Sequence, residues 1–118
     1  LNRRTDLIIS GGENIYPKEI EDTVYAMQGV KECAVIPVAD TKWGQVPALF
    51  VAFDDIDVLG ADLKMIVRDY LSSKLAKYKV PKYITIMDAL PRNGTGKIMR
   101  KSLASHLDMT ASNGGSHE

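Results

Sequence analysis

Little sulfur or imidazole chemistry is open to this chain. Its 118 residues hold one cysteine, Cys33, and two histidines, His106 and His117. A single thiol allows no intrachain disulfide and no thiolate metal cluster. It fits a reducing compartment, so a cytoplasmic location is expected. The two histidines are isolated, and no Cys/His/carboxylate spacing suggests a metal site or a Ser-His-Asp or Cys-His arrangement. Long apolar runs are missing as well. The longest, Val46 to Phe53, is eight residues and contains a proline, far short of the ~20 that span a bilayer. No charged-then-apolar opening resembles a signal peptide. Neither charge is in excess, with 15 Lys+Arg against 15 Asp+Glu, so the overall basic footprint of a nucleic-acid binder is absent. What is present is apolar substance: 45% hydrophobic residues can bury a core, which excludes bulk disorder. The chain opens on Leu1 rather than Met and runs straight into a structured-looking segment, which reads as a fragment.

The zero balance hides an uneven distribution. From Lys74 to Lys101 eight basic residues face one acid, Asp88, so that stretch is +7 and the remainder −7. Two readings stay open: a solvated face, or a local site for a phosphorylated small molecule.

Local patterns predict a small α+β domain. Asp6 to Ser10 reads as a strand that reverses at Gly11-Gly12 and returns through Glu13 to Ile15, since paired glycines permit the positive φ of a tight hairpin. Pro17 opens a helix at the position where its missing amide has no intrahelical partner. Ile20, Val24 and Met27 form its apolar stripe, Glu19 and Glu21 suit its positive end, and Gly29 stops it. Cys33–Val38 and Val46–Phe53 read as two antiparallel strands around the polar loop 39–45, followed by an acidic turn at 54–57. A second amphipathic helix, about Asp62 to Leu75, carries Leu63, Ile66, Val67, Tyr70 and Leu71 on one face, with Val80-Pro81 as its break. Tyr83–Met87 is a further strand, and a short helix is expected near Met99 to Leu107. The expected architecture is a small antiparallel sheet with two to three helices and an N-terminal β-hairpin.

Two glycine loops are candidates for chemistry. Asn93-Gly94-Thr95-Gly96-Lys97 is not a P-loop: Pro91 stands where the motif needs its first glycine, and Ile98 where it needs Ser or Thr. It remains either a solvated turn or a flexible loop delivering one cation to a bound phosphate or carboxylate, able to change shape on docking. Ser10-Gly11-Gly12-Glu13 is an ordinary hairpin or a place where backbone approaches a ligand. Trp43 and Tyr78 are core-packing aromatics or stacking faces for an adenine. Cys33, in an apolar strand, is a small buried hydrophobe.

A resemblance goes further. Arg3-Arg4-Thr5-Asp6-Leu7-Ile8-Ile9-Ser10-Gly11-Gly12-Glu13-Asn14-Ile15-Tyr16-Pro17 resembles the C-terminal domain signature of the adenylate-forming enzymes, and Leu90-Pro91-Arg92-Asn93-Gly94-Thr95-Gly96-Lys97 is similar to a second signature of that superfamily. The wording is closer to acyl- and aryl-CoA ligases than to peptide-synthetase domains. Asp40-Thr41-Lys42-Trp43-Gly44-Gln45 and Lys77-Tyr78-Lys79-Val80-Pro81-Lys82 look most like the o-succinylbenzoate–CoA ligase branch of menaquinone biosynthesis. The resemblance implies a mobile lid that works with an N-terminal domain of the same polypeptide on ATP with Mg, a carboxylic acid and CoA. It implies Lys97 as the catalytic residue of adenylate formation, Asp6 as hinge and Arg3 as a contact to the nucleotide ribose. Ser10, Gly11, Gly12 and Glu13 fall where the family receives pantetheine, and Trp43, Tyr78 and Lys82, with Lys79 less firmly, where it receives the rest of CoA. Val80 departs from relatives that carry a phosphate-binding arginine there. The implied organisation is a hinge at 1–6, the lid at 7–107 and a disordered or appended tail at 108–118; alone, the domain is expected to be inactive. The alternatives are a ligase for another aromatic or fatty acid, and a non-catalytic nucleotide-binding or interaction module.

Overall fold

The computed structural model describes residues 7–54 and 62–109. Arg3, Asp6, the acidic turn after Asp54 and the tail from 110 lie outside the described residues. Five strands are described: β1 (Ile8–Ser10), β2 (Glu13–Ile15), β3 (Val30–Asp40), β4 (Gly44–Phe53) and β5 (Tyr83–Met87). The helices are α1 (Pro17–Tyr25), α2 (Leu63–Lys74) and a one-turn α3 (Arg100–Leu103) continued by a 3-10 turn at Ala104–His106. The fold is α+β, with the antiparallel hairpin β1–β2 beside a three-stranded sheet ordered β3-β4-β5.

The antiparallel ladder of that sheet is β3–β4; β5 joins parallel to β4, so the sheet is mixed. The cause is the connection. The chain leaves β4, returns over one face of the sheet as α2, and such a crossover delivers the next strand in the same direction. The two long strands also reach further than their apolar cores. They extend to Asp40 and Gly44, leaving three residues, Thr41 to Trp43, between them, and Gly44 takes a φ of +84° as three-residue hairpin loops require.

Both faces of the sheet are covered, which explains why β3 and β4 read as continuous apolar runs rather than alternating ones. On one face Cys33, Val35, Leu49 and Val51 meet Ile20 and Val24 of α1 and Leu63, Val67 and Leu71 of α2. On the other, Ala34, Ala48, Phe50 and Ala52 meet Leu90 and Leu103, with Ile98 packed alongside. The hairpin is tied to the first face through Ile8 and Ile15, both fully buried. Burial of each contributes roughly 1.5–3 kcal/mol, enough to fix a pair of three-residue strands that would be marginal alone.

The helices start where expected, and α1 ends earlier than its apolar stripe suggested. Pro17 occupies the first turn of α1, Asp62 caps α2 by accepting from the Met65 amide at 3.2 Å, and α2 keeps its predicted face inward. Yet α1 ends at Tyr25, leaving Met27 in a following turn, while α2 ends at Lys74 with Leu75 as its C-cap, as expected. Glu21 does not serve the helix end. Its Oε2 accepts from the Val35 amide at 2.8 Å and pairs with Arg100 at 2.9 Å. Arg100 Nη1 in turn donates to the Val35 carbonyl, while the Tyr25 hydroxyl bridges the amide and carbonyl of Cys33. The outer backbone of β3 is thus engaged by side chains.

Candidate functional site

The hairpin reversal uses Gly11 at φ +56° and Gly12 at φ +85°, conformations that L residues with a Cβ avoid. Its position is set against the β3–β4 turn. The Gly11 amide donates to the Trp43 carbonyl at 2.8 Å, and the Ile9 amide donates to Gln45 Oε1 at 3.0 Å. The Trp43 ring lies directly over Gly11, where an added Cβ would stand 2.5 Å from ring atom Cε3. Between this hairpin, the Trp43 turn and the segment after α2 lies a cleft of about 470 Å³. Ser10, Gly11, Glu13, Trp43 and Tyr78 line it, with Val46, Pro47, Lys77 and Val80. Five residues singled out from the sequence therefore converge on one mostly apolar cleft. Gly12 is exposed at the hairpin tip, with open space around it, and is not part of the lining.

Lys82 is also absent from that lining. Its Nζ pairs with Asp40 Oδ2 at 2.8 Å, and Asp40 Oδ1 accepts from the amides of Lys42 and Trp43 at 2.8 and 2.9 Å. The Lys82 ammonium, then the Trp43 and Lys42 amides, draw the Asp40 carboxyl down to about 2, and the same bond raises the Lys82 amine. Arg68, buried on α2, donates to the carbonyls of Pro81 and Lys82 at 2.9 and 3.0 Å and so fixes the segment from which Lys82 reaches Asp40. Lys79 is likewise occupied, by Glu19 at 2.9 Å. The two lysines expected at CoA phosphates thus have internal partners. Lys77 remains at the cleft, and Lys42 lies 5.0 Å from the centre of the Trp43 ring.

The Lys97 loop is more closed than its glycines suggested. Asn93 Oδ1 accepts from Thr95 N at 3.0 Å, Thr95 Oγ1 at 2.7 Å and Lys97 N at 3.0 Å. Asn93 N donates to the Lys97 carbonyl, and Met99 N to the Pro91 carbonyl, both at 2.9 Å. The loop is a turn bonded across its base, and one asparagine side chain meets the amides of Thr95 and Lys97. The Lys97 side chain is exposed. Glu32 anchors the loop's entry by accepting from the Leu90 amide at 2.8 Å and from Arg92. Burial pushes the Glu32 carboxyl up, but the Leu90 amide, the hydrogen bond from Arg92 and its charge outweigh that and leave it below the ordinary range.

The remaining candidates are quiet. Burial and the nearby Glu21 charge push the Cys33 thiol up to about 12, as its reading as a buried hydrophobe implies. Among the described residues no group of three or more His, Cys, Asp and Glu could hold a metal ion, and no helix is long and apolar enough to cross a membrane. Asp40, Gln45, Arg68, Glu32 and Arg92 went unassigned from sequence. Asp40, an Asx residue opening the Thr-Lys-Trp turn, carried a readable signal; the others act across the fold.

Residues 19–97 match the model of the AMP-binding enzyme C-terminal domain. The chain belongs to that family. This AMP-binding C-terminal domain is 56% identical over 103 residues to 2-succinylbenzoate–CoA ligase of Lactococcus lactis, covering 87% of the chain and 21% of the relative. It is 41% identical over 109 residues to a long-chain-fatty-acid–CoA ligase of Mycobacterium tuberculosis, covering 92% and 21%. Among solved structures it is similar to o-succinylbenzoate CoA synthetase of Bacillus subtilis in complex with its acyl-adenylate intermediate, with a TM-score of 0.73, 41% identity and coverage of 87% and 20%. The domain spans about a fifth of the length of the relatives it matches.

Proposed function

We propose that this domain is the swivelling lid of an ATP-dependent acid–CoA ligase. In such an enzyme a carboxylate attacks the α-phosphate of ATP, giving an acyl-adenylate and pyrophosphate. The CoA thiol then attacks the acyl carbon, and AMP leaves. The observation that carries the reading is the placement of the two glycine loops. The hairpin is rooted on one face of the sheet through Ile8 and Ile15, and the flanks of the Lys97 loop, Leu90 and Ile98, pack on the other. One rigid domain with a loop over each face can serve two steps by turning.

In the first pose the exposed Lys97 ammonium bridges the attacking carboxylate and the phosphate oxygens, stabilising charge that grows as phosphorus is attacked. In the second, Gly11 and Gly12 leave room for the pantetheine arm, and the cleft between hairpin and Trp43 receives CoA. Trp43 and Tyr78 offer their rings to the adenine, and Lys77 and Lys42 supply positive charge. Asp40 and Lys82 hold the Trp43 turn. ATP with its Mg and the acid are assigned to an N-terminal domain of the same polypeptide, with Asp6 as hinge and Arg3 at the ribose, so the domain alone is inactive. The similarity to ligases of 2-succinylbenzoate makes that the leading acid, and the fatty-acid ligase relative supports an alternative acid. The buried thiol fits a cytoplasmic enzyme.

Division of labour tests the proposal in the full-length ligase that carries this domain. Lys97→Ala should lower acid-dependent pyrophosphate exchange by roughly 10²–10³-fold and spare thioester formation from supplied acyl-adenylate. Gly12→Leu should do the reverse. Equal loss of both half-reactions in either variant would refute the two-face reading.

A further inference from the structure

Glu32 is a carboxylate in a strand covered on both faces, and only 6% of its surface is exposed. Such a group is costly unless its charge and lone pairs are met, and an apolar pair of similar size would often stabilise a core as well. Here both oxygens are used. Oε2 accepts from the Leu90 amide, and Oε1 accepts from Arg92 Nε at 3.1 Å and from Arg92 Nη2. The guanidinium's other arm, Nη1, donates to the carbonyl of Gly96, the residue before Lys97. One planar cation therefore links an anion fixed in the sheet to the backbone that carries the lysine, a geometry that a fork of fixed donors suits and a point charge does not.

The loop has two separable needs. Its shape is set from within by Asn93, through the amides of Thr95 and Lys97. Its location relative to the sheet is set by the packing of its flanks, Leu90 and Ile98, and by the link through Glu32 and Arg92, at the loop's entry and at Gly96. The Lys97 side chain has no hydrogen bond or ion pair among the described residues. The main chain beneath it thus does most to decide where its ammonium can stand.

We propose that Glu32 and Arg92 are positioning residues for Lys97, holding its backbone at the height and direction from which the ammonium reaches the reacting carboxylate and phosphate in adenylate formation. The inference rests on the assignment of Lys97 to that step. It adds that a 60-residue separation in sequence is bridged to place that lysine.

The test uses the full-length ligase, with acid-dependent exchange of labelled pyrophosphate into ATP and thioester formation from supplied acyl-adenylate measured separately. Arg92→Lys keeps a charge beside Glu32 but loses the second arm, and Arg92→Gln and Glu32→Gln remove the ion pair. Each is expected to lower kcat for exchange by roughly 10- to 100-fold, with KM for ATP and the thioester step unchanged; the intact thioester step shows that the variant is folded. In a Lys97→Ala background the same changes should cause no further loss, because a positioning residue acts only through the residue it places. Wild-type exchange in Arg92→Lys overturns the proposal, as do equal losses in both half-reactions or a full additional loss on top of Lys97→Ala. If Lys97→Ala itself retains exchange, the assignment of the lysine fails and this proposal with it. Loss in Lys97→Ala with none in Arg92→Lys would overturn the positioning alone.

Discussion

Replacing Gly11 by alanine puts a methyl group where the Trp43 ring already lies. The new Cβ would stand 2.5 Å from Cε3 and 3.0 Å from Cζ3, against the ~3.5 Å of ordinary carbon–carbon contact. The indole must withdraw from Gly11 by about 1 Å, which moves one wall of the cleft. A separate cost is the φ of +56°, about 1–2 kcal/mol for a residue with a Cβ. Gly12→Ala isolates that second cost, since Gly12 has φ +85° and an added Cβ there meets nothing within 4 Å. Trp43 is the single tryptophan of the 118-residue chain, so its fluorescence reports the ring directly. Gly12→Ala should lose about 1–2 kcal/mol of unfolding free energy, Gly11→Ala should lose more by the cost of displacing the ring, and only Gly11→Ala should shift the emission maximum. In the full-length ligase Gly11→Ala should raise KM for CoA about tenfold, or about 1.4 kcal/mol, within the ~1–3 kcal/mol that aromatic–base stacking contributes. Pyrophosphate exchange should not change. An unchanged emission and CoA KM in Gly11→Ala, or the same emission shift in Gly12→Ala, would refute the argument.

Asp40, held near a pKa of about 2, contributes stability that is fully present above the ordinary carboxylate value of ~3.9 and is lost as pH falls toward 2. Urea titrations followed by Trp43 fluorescence should show this slope between those limits, and Asp40→Asn should flatten it. Arg68→Met leaves the Pro81 and Lys82 carbonyls without their donor and should lower stability by about 2–3 kcal/mol, measurable as a fall in Tm. Cys33, with its thiol pushed up to about 12, should resist a disulfide reagent at pH 8 in the native chain and react at once in urea.

Patterns local in sequence carried much of the fold. Pro17, the stripe from Leu63 to Leu71 and the Gly11-Gly12 reversal each state a local preference, and the structure keeps all three. The direction of β5 was not legible, because an apolar strand looks alike read either way and only the path of α2 decides it. The same holds for the site. Ser10, Gly11, Glu13, Trp43 and Tyr78 line one cleft, drawn from three separate stretches of sequence. Lys82 looked like a free cation because its partner, Asp40, lies 42 residues away, and Glu32 gave no sign of Arg92 at a distance of 60. The closed shape of the Lys97 loop has a nearer cause: Asn93, inside the motif, bonds across it.

The dressing of β3 bears on how such a domain survives in company. As one of the two border strands of its sheet, β3 would offer a second copy a row of unpaired backbone groups, a template for strand exchange and aggregation. At Cys33 the Tyr25 hydroxyl fills that place, at Val35 Glu21 and Arg100 fill it together, and at Pro37 there is no amide to offer. A domain proposed to let go of its neighbour twice in every turnover exposes its flanks each time. With that border closed, an excursion into solvent need not become an encounter with another copy of itself.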